Sequence, residues 1–309
     1  MSRPLNITVS EKLEYTGHTG SVYAMTTSSD ERWLFTAGDD GIVAKWDLYA
    51  GDDQGTGVMR TDRSVYSLLY LPGDRLMAGT SDGTLYVCDL SSREILVKTN
   101  KSSAAIYNLW FDPGAGVIWC LQAKGGLTLY QSEDMREITH RQISDNNLRC
   151  VCESPEGTHM FVGASDNRIY VLEKNDASVA HSWEAHKNSV FALAVVPESG
   201  LLISGGMDAY LNVWDVKNQI KLIKSLPAHN FTVNDIVFSP DGKYFATASR
   251  DKSIKLWNSV TFDLLKVVSF EKNMAHRHSI NRVKWLNADQ SLISCSDDRR
   301  VIRWNVLLN

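Results

Sequence analysis

The chain has 309 residues, of which 43% are hydrophobic and 22% charged, and its formal net charge is −4. These values are typical of a globular protein, and the mild acidity argues against nucleic-acid binding by neutralisation of phosphates. The longest obvious apolar run, Phe191 to Pro197, is well short of the roughly 18 residues of a membrane span. Met1 to Glu14 lacks the basic and apolar regions of a signal peptide. We therefore expect no membrane segment and no secretion.

The first predicted element is a strand from Ile7 to Tyr15, which precedes any repeated unit. A unit then recurs along the chain. In its clearest form Ser or Thr is followed by Asp four residues later and by Trp six residues after that. Four copies show this pattern (LFTAGDDGIVAKWD at 34–47, LISGGMDAYLNVWD at 202–215, FATASRDKSIKLWN at 245–258, LISCSDDRRVIRWN at 292–305), and weaker copies lie at 77–89, 119–131 and 161–173.

The spacing of the units predicts the fold. The Trp position recurs every 42 to 47 residues, at Trp46, Cys88, Tyr130, Leu172, Trp214, Trp257 and Trp304. Each unit is rich in β-branched residues and turn signals, and helical periodicity is missing over any long window. Seven such units predict an all-β, seven-bladed β-propeller of four-stranded sheets, forming a single domain over 1–309. Two domains are excluded.

The sixth unit defines the strands most clearly. We predict strands at 233–238, 243–249, 253–258 and 264–269, with Ser-Pro-Asp-Gly at 239–242 as a tight turn. Gly51 to Gly57 is predicted to be a flexible loop, and the extra length of the last interval falls near Phe270 to His278. The last unit lacks a fourth strand, so the strand from Ile7 to Tyr15 is expected to complete it and close the ring.

The four clear copies also carry Gly-His or Ala-His before the unit and Trp-Asp or Trp-Asn at its end, as in Gly17-His18 with Trp46-Asp47. On these motifs the chain resembles the WD40-repeat family over essentially its whole length. The resemblance implies hydrogen-bonded structural tetrads at His18-Thr36-Asp40-Trp46, His186-Ser204-Asp208-Trp214, His229-Thr247-Asp251-Trp257 and His276-Ser294-Asp298-Trp304. Units two to four lack the His and Trp of the tetrad, and Lys124 replaces the turn Asp in unit three. We expect that arc to be the less stable one.

His, Ser and Asp are also the residue types of a hydrolytic triad, which needs an exposed hydroxyl and a free base. Four identical active sites in one propeller are implausible, so we interpret the tetrads as structural and predict no catalytic residue. His276 and His278 are spaced like metal ligands, but no third ligand is evident and His276 already belongs to a tetrad. We predict no metal and no cofactor. The five cysteines are interpreted as buried free thiols of a reducing, cytoplasmic environment.

In propellers of this family, partners commonly contact the start of the innermost strand and the residue before the turn Asp. The matching partner-binding positions here are Tyr23, Tyr66, Tyr107, Arg149, Phe191, Asn234 and Asn281 on the strands, with Met207 and Arg250 before the turns. Aromatic residues and Arg are the types enriched at interface hot spots. We place the docking face around blades one to three, and expect Tyr23→Ala with Tyr107→Ala to abolish capture of a partner at nearly unchanged melting temperature.

The predicted function is a non-enzymatic protein-interaction scaffold that presents one face to a peptide, loop or helix of a partner protein. The alternative is a propeller enzyme or a small-ligand sensor that uses the central channel. A phosphate- or nucleic-acid-binding face on Arg149 and Arg250 is a weaker third possibility, because only two such arginines are present at these positions. We expect a monomeric propeller, acting alone or within a larger assembly.

Overall fold

Antiparallel strands make up most of the computed structural model, which describes residues 7–217 and 219–308. Residues 1–6, 218 and 309 of the predicted domain lie outside the described residues. The strands form seven four-stranded sheets, which we number as blades in chain order. The first strand of each blade contacts the first strands of both neighbouring blades, and the last of these contacts closes the circle between blades seven and one. The prediction of a seven-bladed propeller is confirmed.

Each of the first six blades is a meander of consecutive strands joined by short turns. Blade one contains β2 (Val22–Thr27), β3 (Trp33–Gly38), β4 (Ile42–Asp47) and β5 (Gly55–Arg60). Blade two contains β6 (Val65–Leu71), β7 (Arg75–Thr80), β8 (Thr84–Asp89) and β9 (Ile95–Asn100). Blade three contains β10 (Ile106–Asp112), β11 (Val117–Gln122), β12 (Gly126–Gln131) and β13 (Glu137–Gln142), with a 3₁₀ turn at Ala123–Gly125.

The remaining blades follow the same order. Blade four contains β14 (Leu148–Glu153), β15 (His159–Ala164), β16 (Arg168–Glu173) and β17 (Val179–Glu184). Blade five contains β18 (Val190–Val195), β19 (Leu202–Gly206), β20 (Tyr210–Asp215) and β21 (Lys221–Pro227). Blade six contains β22 (Val233–Phe238), β23 (Tyr244–Ser249), β24 (Ile254–Asn258) and β25 (Leu264–Val268), so its strands lie within one residue of the prediction.

Blade seven combines three late strands of the chain with its first strand. It contains β26 (Ile280–Trp285), β27 (Leu292–Ser296) and β28 (Val301–Leu308), and its outer strand is β1 (Ile7–Tyr15). β1 runs antiparallel to β28, with Ile7 opposite Leu308 and Tyr15 opposite Val301. The predicted closure of the last blade by the early strand is confirmed. Closure removes a sheet edge that would otherwise be open to pairing with another chain.

Two connecting segments differ from simple loops. The predicted flexible loop from Gly51 to Gly57 is wrong in its second half, because residues 55–57 belong to β5. The Trp46 indole covers Gly55 so closely that a Cβ there would lie 2.4 Å from Trp46 Cζ3, which is why glycine continues this strand. The extra residues between blades six and seven form α1 (Phe270–Asn273), a single helical turn. Within the described residues no helix has the length and apolar character needed to cross a membrane.

The hydrophobic core is distributed around the ring. Seven clusters of buried side chains are present, and each combines residues from two neighbouring blades. The cluster between blades six and seven, for example, packs Ile254 and Leu256 against Trp285 and Trp304. Each blade is therefore stabilised mainly by burial against its neighbours, as is typical of repeat architectures. This packing holds the loops between blades in fixed positions around the channel.

Candidate functional site

Four blades contain the same group of hydrogen-bonded side chains near one end of the disc. In blade one, His18 Nδ1 lies 2.9 Å from Asp40 Oδ2, and His18 Nε2 lies 2.8 Å from Thr36 Oγ1. Trp46 Nε1 donates to the same hydroxyl at 2.8 Å. The corresponding shortest distances lie between 2.7 and 3.0 Å in the other three groups, which are His186-Ser204-Asp208-Trp214, His229-Thr247-Asp251-Trp257 and His276-Ser294-Asp298-Trp304.

The bonding pattern assigns a neutral imidazole to the tetrad of blade six. His229 donates its Nδ1 proton to Asp251, so its Nε2 accepts the hydroxyl proton of Thr247, whose oxygen accepts the Trp257 N–H. Burial lowers the pKa of His229. Burial opposes ionisation of Asp251, but hydrogen bonds led by that from His229 outweigh it and hold the pKa of Asp251 well below its usual range.

The tetrad hydroxyls are closed to a substrate. Thr36, Ser204, Thr247 and Ser294 are fully buried, and each is bonded to both its histidine and its tryptophan. A nucleophilic serine needs an oxygen that reaches substrate and a base that is free to carry its proton. In this geometry each tetrad links side chains inside one of the four blades that contain it, and leaves no hydroxyl for a substrate.

The histidine pair considered as metal ligands is separated by burial. His276 is fully buried in its tetrad, whereas His278 lies exposed two residues further along the same loop. Across residues 7–217 and 219–308 the structure contains no group of three or more His, Cys, Asp or Glu side chains arranged to hold a metal ion. The cysteine thiols are equally unsuited to nucleophilic chemistry, because burial raises the pKa of Cys120, Cys150 and Cys295 to about 12.

Two of the degenerate blades have a replacement network that the sequence reasoning missed. In blade two, Tyr86 Oη donates to Asp62 Oδ2 at 3.1 Å. In blade four, Tyr170 Oη donates to Asp166 Oδ2 at 2.7 Å, and Ser144 Oγ donates to the same oxygen at 2.5 Å. Both tyrosines stand two residues before the position at which the Trp is lost. That shared spacing was a signal in the sequence for a second, weaker bracing pattern.

Seven of the nine predicted partner-binding residues meet at one end of the central channel. They line a cavity of about 400 Å³, together with Arg282, which the sequence reasoning missed. We call this opening the channel mouth, and the end of the disc that carries it, with the loops between blades and the turns that hold the tetrad Asp residues, the top face. The residues of the channel mouth are Tyr23, Tyr66, Tyr107, Arg149, Phe191, Asn234, Asn281 and Arg282.

A β-bulge places a side chain into the channel mouth from every blade. The pairing of each innermost strand with the next strand skips one residue, as between Val22 and Ala24 in β2. A bulged residue is left unpaired and its strand bends, which redirects the side chain. The seven skipped residues are Tyr23, Tyr66, Tyr107, Arg149, Phe191, Asn234 and Asn281.

The aromatic half of the channel mouth is a continuous row of half-buried rings. Tyr23 meets Tyr66 edge-on, with ring centroids 5.5 Å apart, and Tyr66 stacks on Tyr107 at 5.7 Å and an interplanar angle of 5°. The Arg149 guanidinium carbon lies 4.1 Å from the Tyr107 ring centroid and 5.0 Å from that of Phe191. These contacts give the rings a packing role, so the double substitution of Tyr23 and Tyr107 is expected to lower stability as well.

The other half of the channel mouth is polar and internally bonded. Asn234 Nδ2 donates to Ile280 O at 2.8 Å, and Asn281 Nδ2 donates to Val22 O at 2.8 Å, so both amides join neighbouring blades. Asp235 accepts backbone N–H bonds and lies 3.8 Å from the Arg282 guanidinium. Burial raises the pKa of Asp235. The two asparagines therefore have bracing roles in addition to their place on the surface.

Met207 and Arg250 lie outside the channel mouth, exposed on the turns of blades five and six. Phe231, in the loop before β22, is 60% exposed and belongs to the same part of the top face. The backbone of Phe231 accepts a hydrogen bond from Ser249, one residue before Arg250. A Phe two residues after His229 was the available sequence signal for this position, which the register of the strands does not reveal.

Comparison with known proteins gives a family match. The family model described as "WD domain, G-beta repeat" matches residues 10–47, 177–215, 220–258 and 268–305. Each matched segment ends directly after the Trp of one tetrad, so the matched segments correspond to the four fully braced blades. Blades two and three and the first three strands of blade four, all without the tetrad His and Trp, lie in the interval between matches.

Curated relatives share moderate identity with the chain. WD repeat-containing protein 55 homolog of Dictyostelium discoideum is 24% identical over 256 residues, covering 81% of this chain and 61% of that protein. Actin-interacting protein 1 of Caenorhabditis elegans is 23% identical over 303 residues, covering 94% and 47%. U3 small nucleolar RNA-associated protein 15 homolog of Gallus gallus is 25% identical over 194 residues, covering 62% and 37%. The chain thus spans between 37% and 61% of the length of these relatives.

Proposed function

The chain belongs to the WD40-repeat family, and from that premise we propose that it is a non-enzymatic scaffold whose top face binds a peptide, loop or helix of a partner protein. The observation that supports this most directly is the channel mouth, where seven blades each contribute one bulged residue to a single cavity. Bulges that redirect side chains are typical of functional surfaces. Tyrosine, phenylalanine and arginine are the residue types that contribute most to protein interfaces.

The scaffold presents its surface without rearrangement. Inter-blade packing and four tetrads fix the loops of the top face, so binding would cost little ordering of the propeller itself. We propose that the whole chain, 1–309, forms this one domain and that it acts as a monomer on protein partners, without a role for membranes or nucleic acid. The unpaired cysteines support an intracellular, cytoplasmic setting.

The identity of the partner does not transfer from the relatives. Their names refer to different molecules, actin in one case and a small nucleolar RNA in another. Such variety is expected when one architecture serves many functions. The chemistry of the top face of this chain is therefore the better guide to its partner.

Capture from native lysate with paired variants tests the proposal. Met207→Ser with Phe231→Ser changes two top-face side chains that are 43% and 60% exposed. The matched control, Leu222→Ser with Ile223→Ser, changes two side chains of β21 on the side of the disc that are 45% and 50% exposed. We expect the top-face variant to lose partners that the control retains. Equal capture by both variants would contradict a top-face site, and neither change should alter stability much.

Small-ligand sensing is the second candidate, because a cavity of about 400 Å³ is within the size range of small-molecule sites. A thermal-shift screen with metabolite pools distinguishes the two functions. A ligand of the channel mouth raises the melting temperature by binding the native state alone. A scaffold gains stability only when its protein partner is added.

A further inference from the structure

Arg149 has an unusual environment in the channel mouth. Its guanidinium lies between the Tyr107 and Phe191 rings, and its Nε donates to Ser165 Oγ at 2.8 Å. No described carboxylate lies within ion-pair distance of it, since Arg149 is absent from every ion pair among residues 7–217 and 219–308. A half-buried cation held in place by stacking and by one hydrogen bond retains donor capacity on its two terminal nitrogens.

The acidic groups around the channel mouth are already engaged. Asp235 accepts two backbone N–H groups and faces Arg282, Asp39 accepts from Ser64, and Asp297 accepts from Asn281. The channel mouth therefore combines aromatic walls with a guanidinium that no described carboxylate contacts. A carboxylate that enters it meets a guanidinium that is already oriented, so little conformational entropy is lost on binding.

The charge of the top face is uneven, and the excess of cations lies on blades five to seven. Lys187, Arg250, Arg277 and Arg299 are exposed there, and none forms an ion pair with another described residue. The turn carboxylates of the same blades are largely buried inside the tetrads, so they contribute little of the charge exposed on these turns. On the opposite side, Lys98 is neutralised by Asp62 and Lys101 by Glu137. Blades five to seven thus favour an acidic partner, which moves the proposed docking face from blades one to three, the location predicted from the sequence, to the opposite side of the ring.

Exposed apolar side chains lie among these cations. Met207, Phe231 and Met274 are 43%, 60% and 62% exposed on the turns and loops of blades five to seven. A nucleic-acid strand would use only Phe231 among them, by stacking a base on its ring, and would leave the two methionines without a partner. A peptide that alternates acidic and apolar residues matches both features.

We propose that the channel mouth and the adjoining top face of blades five to seven bind an acidic peptide segment, with one Asp or Glu carboxylate on Arg149 and the flanking acidic residues on Arg250 and Arg277. This inference rests on the proposed scaffold function and names the chemistry of its partner. Arg149 provides the specific contact, since a planar guanidinium suits a carboxylate better than an ammonium does. The exposed cations add electrostatic attraction that weakens as salt increases.

Selection of random peptides displayed on phage against the folded full chain tests the inference. We expect enrichment of sequences with Asp or Glu beside apolar residues, and binding of the enriched peptides, made synthetically, that weakens with added salt. Arg149→Gln should raise their Kd about tenfold or more, because it removes a charge-assisted hydrogen bond. Arg149→Lys should recover only part of the affinity. The matched control is Arg63→Gln, which removes an exposed cation from the top face between blades one and two.

The possible results distinguish a failure of the acidic-peptide site from a failure of the scaffold function. Enrichment of basic or uncharged peptides, or equal affinity of the Arg149→Gln and Arg63→Gln proteins, overturns the acidic-peptide site but leaves the scaffold function standing. Displacement of the peptides by single-stranded RNA at comparable affinity also overturns it. Failure to enrich any peptide also overturns the acidic-peptide site, whereas the scaffold function is decided separately by capture from lysate. Arg149→Gln also removes two stacking contacts and could lower stability. The double variant Arg250→Gln with Arg277→Gln, which changes exposed positions, therefore gives an independent measurement of the contribution of the cations to peptide affinity.

Discussion

Removal of one tetrad hydroxyl measures what the bracing contributes. Thr247→Val keeps the shape of the side chain in blade six but removes the oxygen that accepts the Trp257 N–H at 2.9 Å and bonds His229 Nε2 at 2.7 Å. Both partners are buried, so the Trp257 N–H and His229 Nε2 are each left without a hydrogen bond and without water, while His229 Nδ1 stays bonded to Asp251. Each unsatisfied group costs about 1–3 kcal/mol, and the two together lower the free energy of unfolding by about 2–6 kcal/mol.

The same substitution in blade two provides the control. Thr80 is also fully buried, but its hydroxyl contacts only Asp82 Oδ1 at 2.6 Å and Thr84 O at 2.8 Å, because the Trp position is Cys88 and the His is missing. Asp82 keeps a backbone N–H bond after the change, so Thr80→Val should cost about 1 kcal/mol. Urea unfolding followed by far-UV circular dichroism gives both values. Equal losses in the two variants would refute the bracing role of the tetrad.

Three further predictions follow from other parts of the structure. The contribution of His229 to the free energy of unfolding should be complete above about pH 6.5 and should fall as the pH drops below it. Burial lowers the pKa of His229 in the folded protein, so the unfolded chain takes up the proton first as the pH falls. Urea unfolding at several pH values should therefore show a weaker pH dependence of stability in the His229→Gln protein. Amide exchange measured by mass spectrometry should be faster in blades two to four than in the braced blades, and uniform protection would contradict this. Gly55→Ala should lower the urea midpoint, costing about 1–3 kcal/mol, because its Cβ would collide with Trp46. Gly57→Ala in the same strand, where the nearest atom is Ile42 Cγ2 at 3.8 Å, should have a smaller effect.

The strands were predictable from sequence because their signals are local. In the sixth unit, Ser-Pro-Asp-Gly and the alternation of Ile254 and Leu256 fix strand ends to within one residue. The closure of blade seven was also predictable, because Ile7 to Tyr15 had no unit of its own. The strand start at Gly55 was not, since it depends on how the Trp46 indole packs across blade one.

The candidate site was predictable in position but not in its chemistry. The repeat register identifies Tyr107 and Arg149 as equivalent positions, but the bulges and the stacking of one side chain on the other arise only when neighbouring blades pack together. Arg282 and Phe231 were not predicted, because neither occupies a position that the repeat register identifies. Arg282 lies beside a bulge and Phe231 lies in a loop. Charge balance on the top face is similarly a property of the assembled ring.

The pairing of β1 with β28 has a consequence for biosynthesis. β1 leaves the ribosome early, yet its partner is translated almost 300 residues later, and their contact joins Ile7 to Leu308. During that delay the nascent chain presents an unpaired strand that is prone to wrong partners. Slow, long-range contacts of this kind delay the final step of folding. We expect the emerging protein to need protection by a chaperone until translation has passed Leu308.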